Sequence, residues 1–387
     1  MLAPFIAALM LTAGQATTQS PEPQTIGPEQ LKAAIDRLGA FDAKERTASS
    51  RTVRRAPAAQ AVPALMRAVQ QHPDQYVRFR ALVVLSGFND PRTRDVMARV
   101  LDDRNDRLRT VAYAYFEHSP EPSIVPRLLQ ALDTEEGEFV RPALTRALAA
   151  YAQDPRVRDA FVKLVLSGQN LFRSAVIEAA GDYHVAAAFD SLMQVAKIDG
   201  PLQEDAVLAL GKLGDKRALE VLAGLQRTAP RVRQPAIAAA ICLLGINCGS
   251  HQGYLVETLT FAVKNLGYQD LLRAAARGLG ALAATGHEDA AAVLIETGAP
   301  ARDPARAPIA LALGTVALRN TPLTLKLLDA RADLHEAALL LRDAFDMLEE
   351  DDDEERFFAT VRRAYWTAPP TAPERKVADA LIQVLEF

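Results

Sequence analysis

Aromatic side chains are scarce in this chain of 387 residues: they make up 6% of it, with a single Trp. Hydrophobic residues nevertheless reach 49%, so the core has to be filled by Ala, Leu and Val, which suits helices packed at short range. Cysteine is nearly absent. Cys242 and Cys248 are too few for a disulfide framework, and their spacing excludes a C-x-x-C redox centre. There is no HExxH zinc motif, no Walker A loop and no GxSxG nucleophile elbow. Gly278 to Ala283 has the letters of a dinucleotide fingerprint, but it lies in an Ala-rich helical stretch with no strand before it. Alternating strand patterns are missing as well. An excess of positive charge is also lacking: the formal net charge is −4, which argues against a dedicated polyanion binder, and no nucleic-acid partner is expected.

What the chain does have is a basic residue that returns at a nearly fixed interval. Arg46, Arg78, Arg109, Arg141, Arg173, Arg233, Arg273 and Arg306 follow one another about 29 to 33 residues apart, with Glu204 where one Arg is missing and a single longer step of 40 between Arg233 and Arg273. Each opens an Ala-rich apolar stretch. Before each lies an amphipathic helix, A, read from i, i+3, i+4, i+7 spacing as in Val62, Leu65, Met66 and Val69. A turn rich in acids and breakers follows, as in His72-Pro73-Asp74 or Asp102 to Asp106, and a second helix, B, then begins at the periodic Arg. Asp90-Pro91, Ser119-Pro120, Asp154-Pro155, Asp303-Pro304 and Thr321-Pro322 are written as N-caps followed by a first-turn Pro. Gly87, Gly181, Gly214 and Gly245 are placed to free the backbone at the ends of B helices. A two-helix unit of this size cannot bury its own apolar face, so stacking is obligatory.

The Val-Arg or Leu-Arg pair opening helix B, the turn acid, and endings such as Leu208-Ala209-Leu210-Gly211-Lys212-Leu213-Gly214-Asp215 resemble HEAT repeats, especially the short bacterial variety and the repeats of phycobilin lyases. The resemblance covers about Pro28 to Leu348. It implies an all-α, right-handed α-solenoid of about nine to ten hairpins, in which Arg78, Arg109, Arg141, Arg173, Arg233 and Arg273 form a structural ladder with turn acids of neighbouring repeats. His287-Glu288 and His335-Glu336 are similar to the His-Glu pairs of a di-iron HEAT-repeat hydroxylase. That enzyme needs four such pairs, so these histidines are read as surface or turn residues and no cofactor or metal site is expected.

The ends have their own character. Residues 1–16 resemble a signal peptide with a Gly14-Gln15-Ala16 cleavage site, although no Lys or Arg precedes the apolar run, and 17–28 read as a flexible leader. The expectation is an exported protein, periplasmic or secreted; the alternative is tethering by an uncleaved N-terminal segment. The apolar run falls short of the roughly 20 residues that cross a bilayer, so no transmembrane span is expected in the mature chain. The solenoid is placed at 29–348 and a capping segment at 349–387. Lys44 to Arg109 carries fourteen Lys or Arg against seven Asp or Glu, whereas Asp343 to Glu355 carries nine acids and no base. That acidic run reads as a solvated helix end or as a contact for a basic partner. The long interval falls on an insertion at 246–253, beside Cys242 and Cys248, where a disulfide and two reduced thiols are equally compatible with the spacing.

The functional expectation is a non-catalytic scaffold of the bacterial cell envelope that holds a protein or peptide on its concave face. An accessory enzyme or cofactor-handling protein resembling the phycobilin lyases is the alternative, and nucleic-acid binding through the basic N-terminal repeats a distant third. If the periodic Arg is a staple between hairpins, Arg109→Ala lowers the melting temperature and leaves partner selectivity unchanged; selective loss of binding at an unchanged melting temperature counts against it.

Overall fold

The computed structural model describes residues 24–329 and 331–387; the signal-peptide expectation for 1–16, and most of the leader, lie outside them. Among the described residues there are helices and turns and no strand. The first pair is α1 (Pro28–Asp36) and α2 (Ala43–Arg55). Nine further hairpins follow: α3 (Ala58–Gln71) with α4 (Gln75–Ser86), α5 (Thr93–Val100) with α6 (Asp106–His118), α7 (Val125–Thr134) with α8 (Arg141–Ala149), α9 (Pro155–Leu164) with α10 (Asn170–Asp182), α11 (Phe189–Ala196) with α12 (Gln203–Leu213), α13 (Leu219–Thr228) with α14 (Gln234–Leu243), α15 (Cys248–Lys264) with α16 (Gln269–Ala284), α17 (Glu288–Gly298) with α18 (Arg306–Arg319), and α19 (Thr321–Asp329) with α20 (Leu334–Leu348). A last pair, α21 (Asp351–Thr367) and α22 (Pro373–Leu385), completes the chain. The architecture is an α-solenoid with odd-numbered helices as A and even-numbered helices as B.

Local chemistry sets the helix ends. Asp154 caps α9 by accepting from the Arg156 amide (2.8 Å), with Pro155 in the first turn as the sequence suggests. Asp74 and Asn105 cap α4 and α6 in the same way. The other four pairs differ from that reading: Asp90-Pro91 and Asp303-Pro304 lie before α5 and α18, whose N-cap positions are Arg92 and Ala305. Beside Thr321-Pro322 the acceptor is Asn320, whose side chain takes the Leu323 amide, and after Ser119-Pro120 it is Glu121, which takes the Ser123 amide. In both cases the side chain with the longer reach or the better position takes the orphan donor.

The periodic Arg has a common role that the sequence did not separate from the ladder. In the first turn of helix B it points back and donates to carbonyls at the end of helix A or in the turn: Arg78 to Val69 (2.7 Å), Arg109 to Asp103 (2.8 Å), Arg173 to Val165 (3.0 Å) and Arg306 to Ala299 (3.0 Å). These carbonyls have no partner inside the helix, and the end of a helix dipole favours a cation. Contacts to a neighbouring repeat vary by step. Arg78 binds Asp103 at 2.5 Å, Arg109 grips Glu135 through two bonds of 2.7 and 2.8 Å, and Arg233 reaches back to Asp199 and Gln203. Arg141 stacks over Phe172 of the next hairpin, 4.0 Å from the ring centroid, in place of an acid. Arg173 shows only its carbonyl contact, and Arg273 binds Asp270 in its own helix.

Even-numbered helices form the inner wall and contact one another more extensively than the odd-numbered ones. Glycine and alanine make this possible. A Cβ on Gly181 would lie 2.8 Å from the Ala209 Cα, and one on Gly211 would lie 2.6 Å from the Ala240 Cα. Gly214 and Gly245 do adopt left-handed φ of 73° and 77°, but Gly181 is an ordinary helical residue whose value is space, not backbone freedom. The wall therefore bends sharply, so that Arg319 of α18 comes within 3.3 Å of Asp182 on α10. Gly211→Ala should lower stability by about 1–3 kcal/mol through overpacking, despite the gain in helix propensity of about 1 kcal/mol; an unchanged or higher denaturation midpoint would contradict the close approach.

Candidate functional site: a charged interior closed by an acidic helix

Of the acidic run 349–355, Glu349 is exposed, Glu350, Asp351, Asp353 and Glu354 are half-buried, and Asp352 and Glu355 are buried. Asp351 to Glu355 open α21, which lies across the inner wall and packs against α4, α6 and α18, while α22 covers α19 and α20. Four acids in the first turn of α21 suit the positive end of its dipole, but the fixing contacts are tertiary. Glu355 is fully buried (0% exposed) and takes both Arg54 (2.6 Å) and Arg362 (3.4 Å). Asp351 pairs with Arg80, and Asp353 with His118 (2.8 Å) and Arg356 (2.5 Å). Arg54 also lies over the Phe358 ring, which stacks on Phe387, and Phe357 meets Phe345 edge to face. Gly87 ends α4 with no side chain because Glu355 occupies that space: a Cβ there would sit 2.3 Å from its Oε1. The basic partner of the acidic run is thus this chain's own N-terminal repeats.

Deeper in the interior the B helices converge on a second charged cluster. Arg146 of α8 binds Glu117 (2.8 Å) and Asp182 (3.0 Å), Lys212 of α12 binds Asp182 (2.5 Å), and the Tyr183 hydroxyl donates to Glu117 at 2.6 Å. Arg277 of α16 holds Asp205 (2.5 Å), which also accepts from Ser174 (2.6 Å). Burial would raise the Asp182 carboxyl, but Lys212 and Arg146 outweigh it and hold it low. Beside α21 the balance differs. Burial, reinforced by Asp353, pushes Asp352 up to about 7 and Glu350 up to about 8; burial and Asp351 push Glu354 up to about 8. Asp353 goes the other way, to about 2, because the hydrogen bond from His118 and the charges of His118 and Arg356 overcome its burial. Glu204 is raised, chiefly by burial, in reach of the charges of Arg277 and Arg233.

Next to α21 the inner wall stays open. A cavity of about 620 Å³ runs between α10 and α18 over a floor of Leu208, Ala209, Ala281, Leu311 and Ala312, with Arg273, Arg277, Lys212 and Arg319 facing Glu178, Asp182, Asp205 and Glu350. A separate apolar feature lies where A helices turn into B helices: Phe41, Phe139, Leu171, Ile198, Leu266 and Tyr268 are all exposed there.

Of the residues singled out in the sequence, the six ladder arginines stand at the first turns of B helices or just before them, and of these Arg273 alone lines the cavity. Cys242 and Cys248 are joined by a disulfide with Cα atoms 4.1 Å apart, and His287 lies beside them. The convergence of Glu117, Arg146 and Asp182, and that of the cysteines with His287, was not anticipated. No helix among the described residues is long and apolar enough to cross a membrane.

The family described as HEAT repeats matches residues 31–117, and the one described as PBS lyase HEAT-like repeat matches residues 202–227. With the helix order above, the chain is a HEAT-repeat protein. No curated protein matches it in sequence. Among solved structures it is similar to YibA of E. coli (18% identity over 57% of this chain and 82% of that one, TM-score 0.43). It is also similar to Kap95p, seen with RanGDP (13% identity, 93% and 55%, TM-score 0.44), and to the CpcE–CpcF complex of phycocyanin lyase from Nostoc (18%, 86% and 99%, TM-score 0.26). Those values leave them as likenesses; the fold rests on the chain's own helices and on the two repeat matches.

The raised acids give docking of α21 a pH dependence with a definite sign. In the docked helix Asp352, Glu350 and Glu354 hold protons that a released helix would give up near the ordinary carboxylate range, so docking is favoured at low pH, weakens progressively as pH rises from about 4 to about 8, and changes no further above that. Asp353, which is depressed, acts only below about pH 4. Amide protection along α21, corrected for intrinsic exchange, should fall between about pH 4 and pH 8 and level off above that, with a matching change in the emission of Trp366, which is half-exposed near the end of α21. Protection that is constant or rises would contradict the assignment.

Proposed function

We propose that this protein is a non-catalytic scaffold whose concave face, between α10 and α18, holds a segment of a protein partner that carries acidic and apolar side chains. The observation that carries this reading is α21 itself: the same inner wall already binds one acidic, aromatic helix, by ion pairs to Arg54 and Arg80, by the contact of Asp353 with His118 and by ring contacts. The open stretch repeats the recipe, with an Ala and Leu floor and, at its rim, Arg273, whose one ion pair is to Asp270 on its own exposed helix turn. HEAT solenoids commonly mediate protein interactions, and many shallow contacts along such a wall suit a peptide more than a small substrate. Export to the cell envelope, suggested by residues 1–16, is part of the same proposal.

A second reading, an accessory enzyme resembling the phycobilin lyases, has one specific support. Glu350 lines the cavity with its carboxyl pushed up to about 8 by burial, a value at which it could donate a proton. Against it, the other acids of the cavity wall, Glu178, Asp182 and Asp205, are engaged by Arg277, Lys212, Arg146 and Ser174.

A photo-reactive residue at Leu311, on the cavity floor, should crosslink a protein partner in the native cell, whereas one at Ile198, on the exposed turn edge, should not. Crosslinks from Ile198 alone would move the binding surface to the turn edge. No protein from either position, with a small molecule co-purifying, would favour the enzyme.

A further inference from the structure

Two cysteines in the one long interval of the repeat meet a histidine of the following hairpin. Cys242 closes α14 and is buried, Cys248 opens α15 after the left-handed Asn247, and His287 stands in the turn that starts α17, after the left-handed Gly286. One donor atom from each, two Sγ and one ring nitrogen, lie within 4.8 Å of one another, and His287 Nδ1 is 4.0 Å from the Cys248 Sγ. In the structure the two sulfurs are bonded to each other. A tetrahedral cation with thiolates at about 2.3 Å and an imidazole at about 2.0 Å sets its donor atoms roughly 3.5 to 3.8 Å apart, a spacing reached once the sulfurs separate while the imidazole moves little.

We propose that Cys242, Cys248 and His287 form a redox-gated site for a thiophilic divalent cation, zinc in the first instance. In the oxidised chain the sulfur electron pairs are tied up in the disulfide and the site is closed. A dithiol reductant opens it: two electrons pass into the S–S bond, which breaks, each sulfur takes a proton, and the donor becomes a disulfide. Binding of the cation then releases both thiol protons to water, leaving two thiolates and the neutral imidazole as ligands and a fourth position for water or an outside donor. Because the ligands come from three successive hairpins, the bound cation clamps the lengthened repeat to the next.

The probe is cobalt(II), which reports thiolate ligation through sulfur-to-metal charge-transfer bands and tetrahedral geometry through strong visible bands. The full chain, reduced with a phosphine that takes oxygen from water as the disulfide accepts its two hydrogens, should bind one equivalent with both signatures, and zinc should displace it. The oxidised chain should show neither. His287→Ala should weaken binding at least about tenfold, and the Cys242→Ser, Cys248→Ser double variant should abolish the charge-transfer band while its circular dichroism shows an intact helical array. A reduced wild-type chain without the band, or a His287→Ala chain that binds as tightly as wild type, overturns the proposal.

Discussion

Gly181 against Ala209 and Gly211 against Ala240 bring neighbouring inner helices close to backbone contact, and the rest of the interior follows from that approach. Stacked hairpins whose inner helices were separated by Leu or Phe would form a gentle arc. Here the small residues shorten the inner circumference, while the outer helices keep their larger side chains, including Phe161 and Phe189, in the core. The arc tightens until α18 faces α10 and a single helix, α21, can touch α4, α6 and α18 together. Curvature set by methyl-sized groups thus decides which charges meet.

The charges that meet are costly to bury and would be destabilising alone. Glu355 with Arg54 and Arg362, and Arg146 with Glu117 and Asp182, are close enough to offset desolvation, but hydrophobic replacements of similar size would serve stability as well. What a buried ion pair adds is register: α21 has one seat, with Gly87 hollowed out to receive Glu355. The wall next to that seat keeps the same mixture of small apolar floor and charged rim without an occupant among the described residues, which is the basis for placing a partner there.

The repeat and its helices were legible because their determinants are local: apolar spacing, acidic caps and an Arg in the first turn of each B helix. The partner of each Arg was less legible. Its backbone carbonyls come from the preceding helix or turn and are fixed by the hairpin, whereas the acid comes from elsewhere and differs from step to step: Arg109 finds Glu135 of the next hairpin and Arg273 finds Asp270 of its own helix. The docking of α21 could not be read from periodicity, since Arg54 and Glu355 are 301 residues apart. A trace of it did exist in the charge asymmetry between the basic first third and the run after Asp343. Likewise, His287 is 39 residues from Cys248, so only the geometry of stacking shows that they are neighbours.

A linear array of hairpins folds by nearest-neighbour steps and can fray from either end. Contacts between α2 or α4 and α21 turn this line into a loop, and the entropy of closing it rises only with the logarithm of its length. The order of synthesis then matters. Arg54 and Arg80 leave the ribosome inside repeats that can already stack, yet their carboxylate partners follow 301 and 271 residues later. Until those arrive, the nascent array carries an open, positively charged mouth, which α21 then shuts.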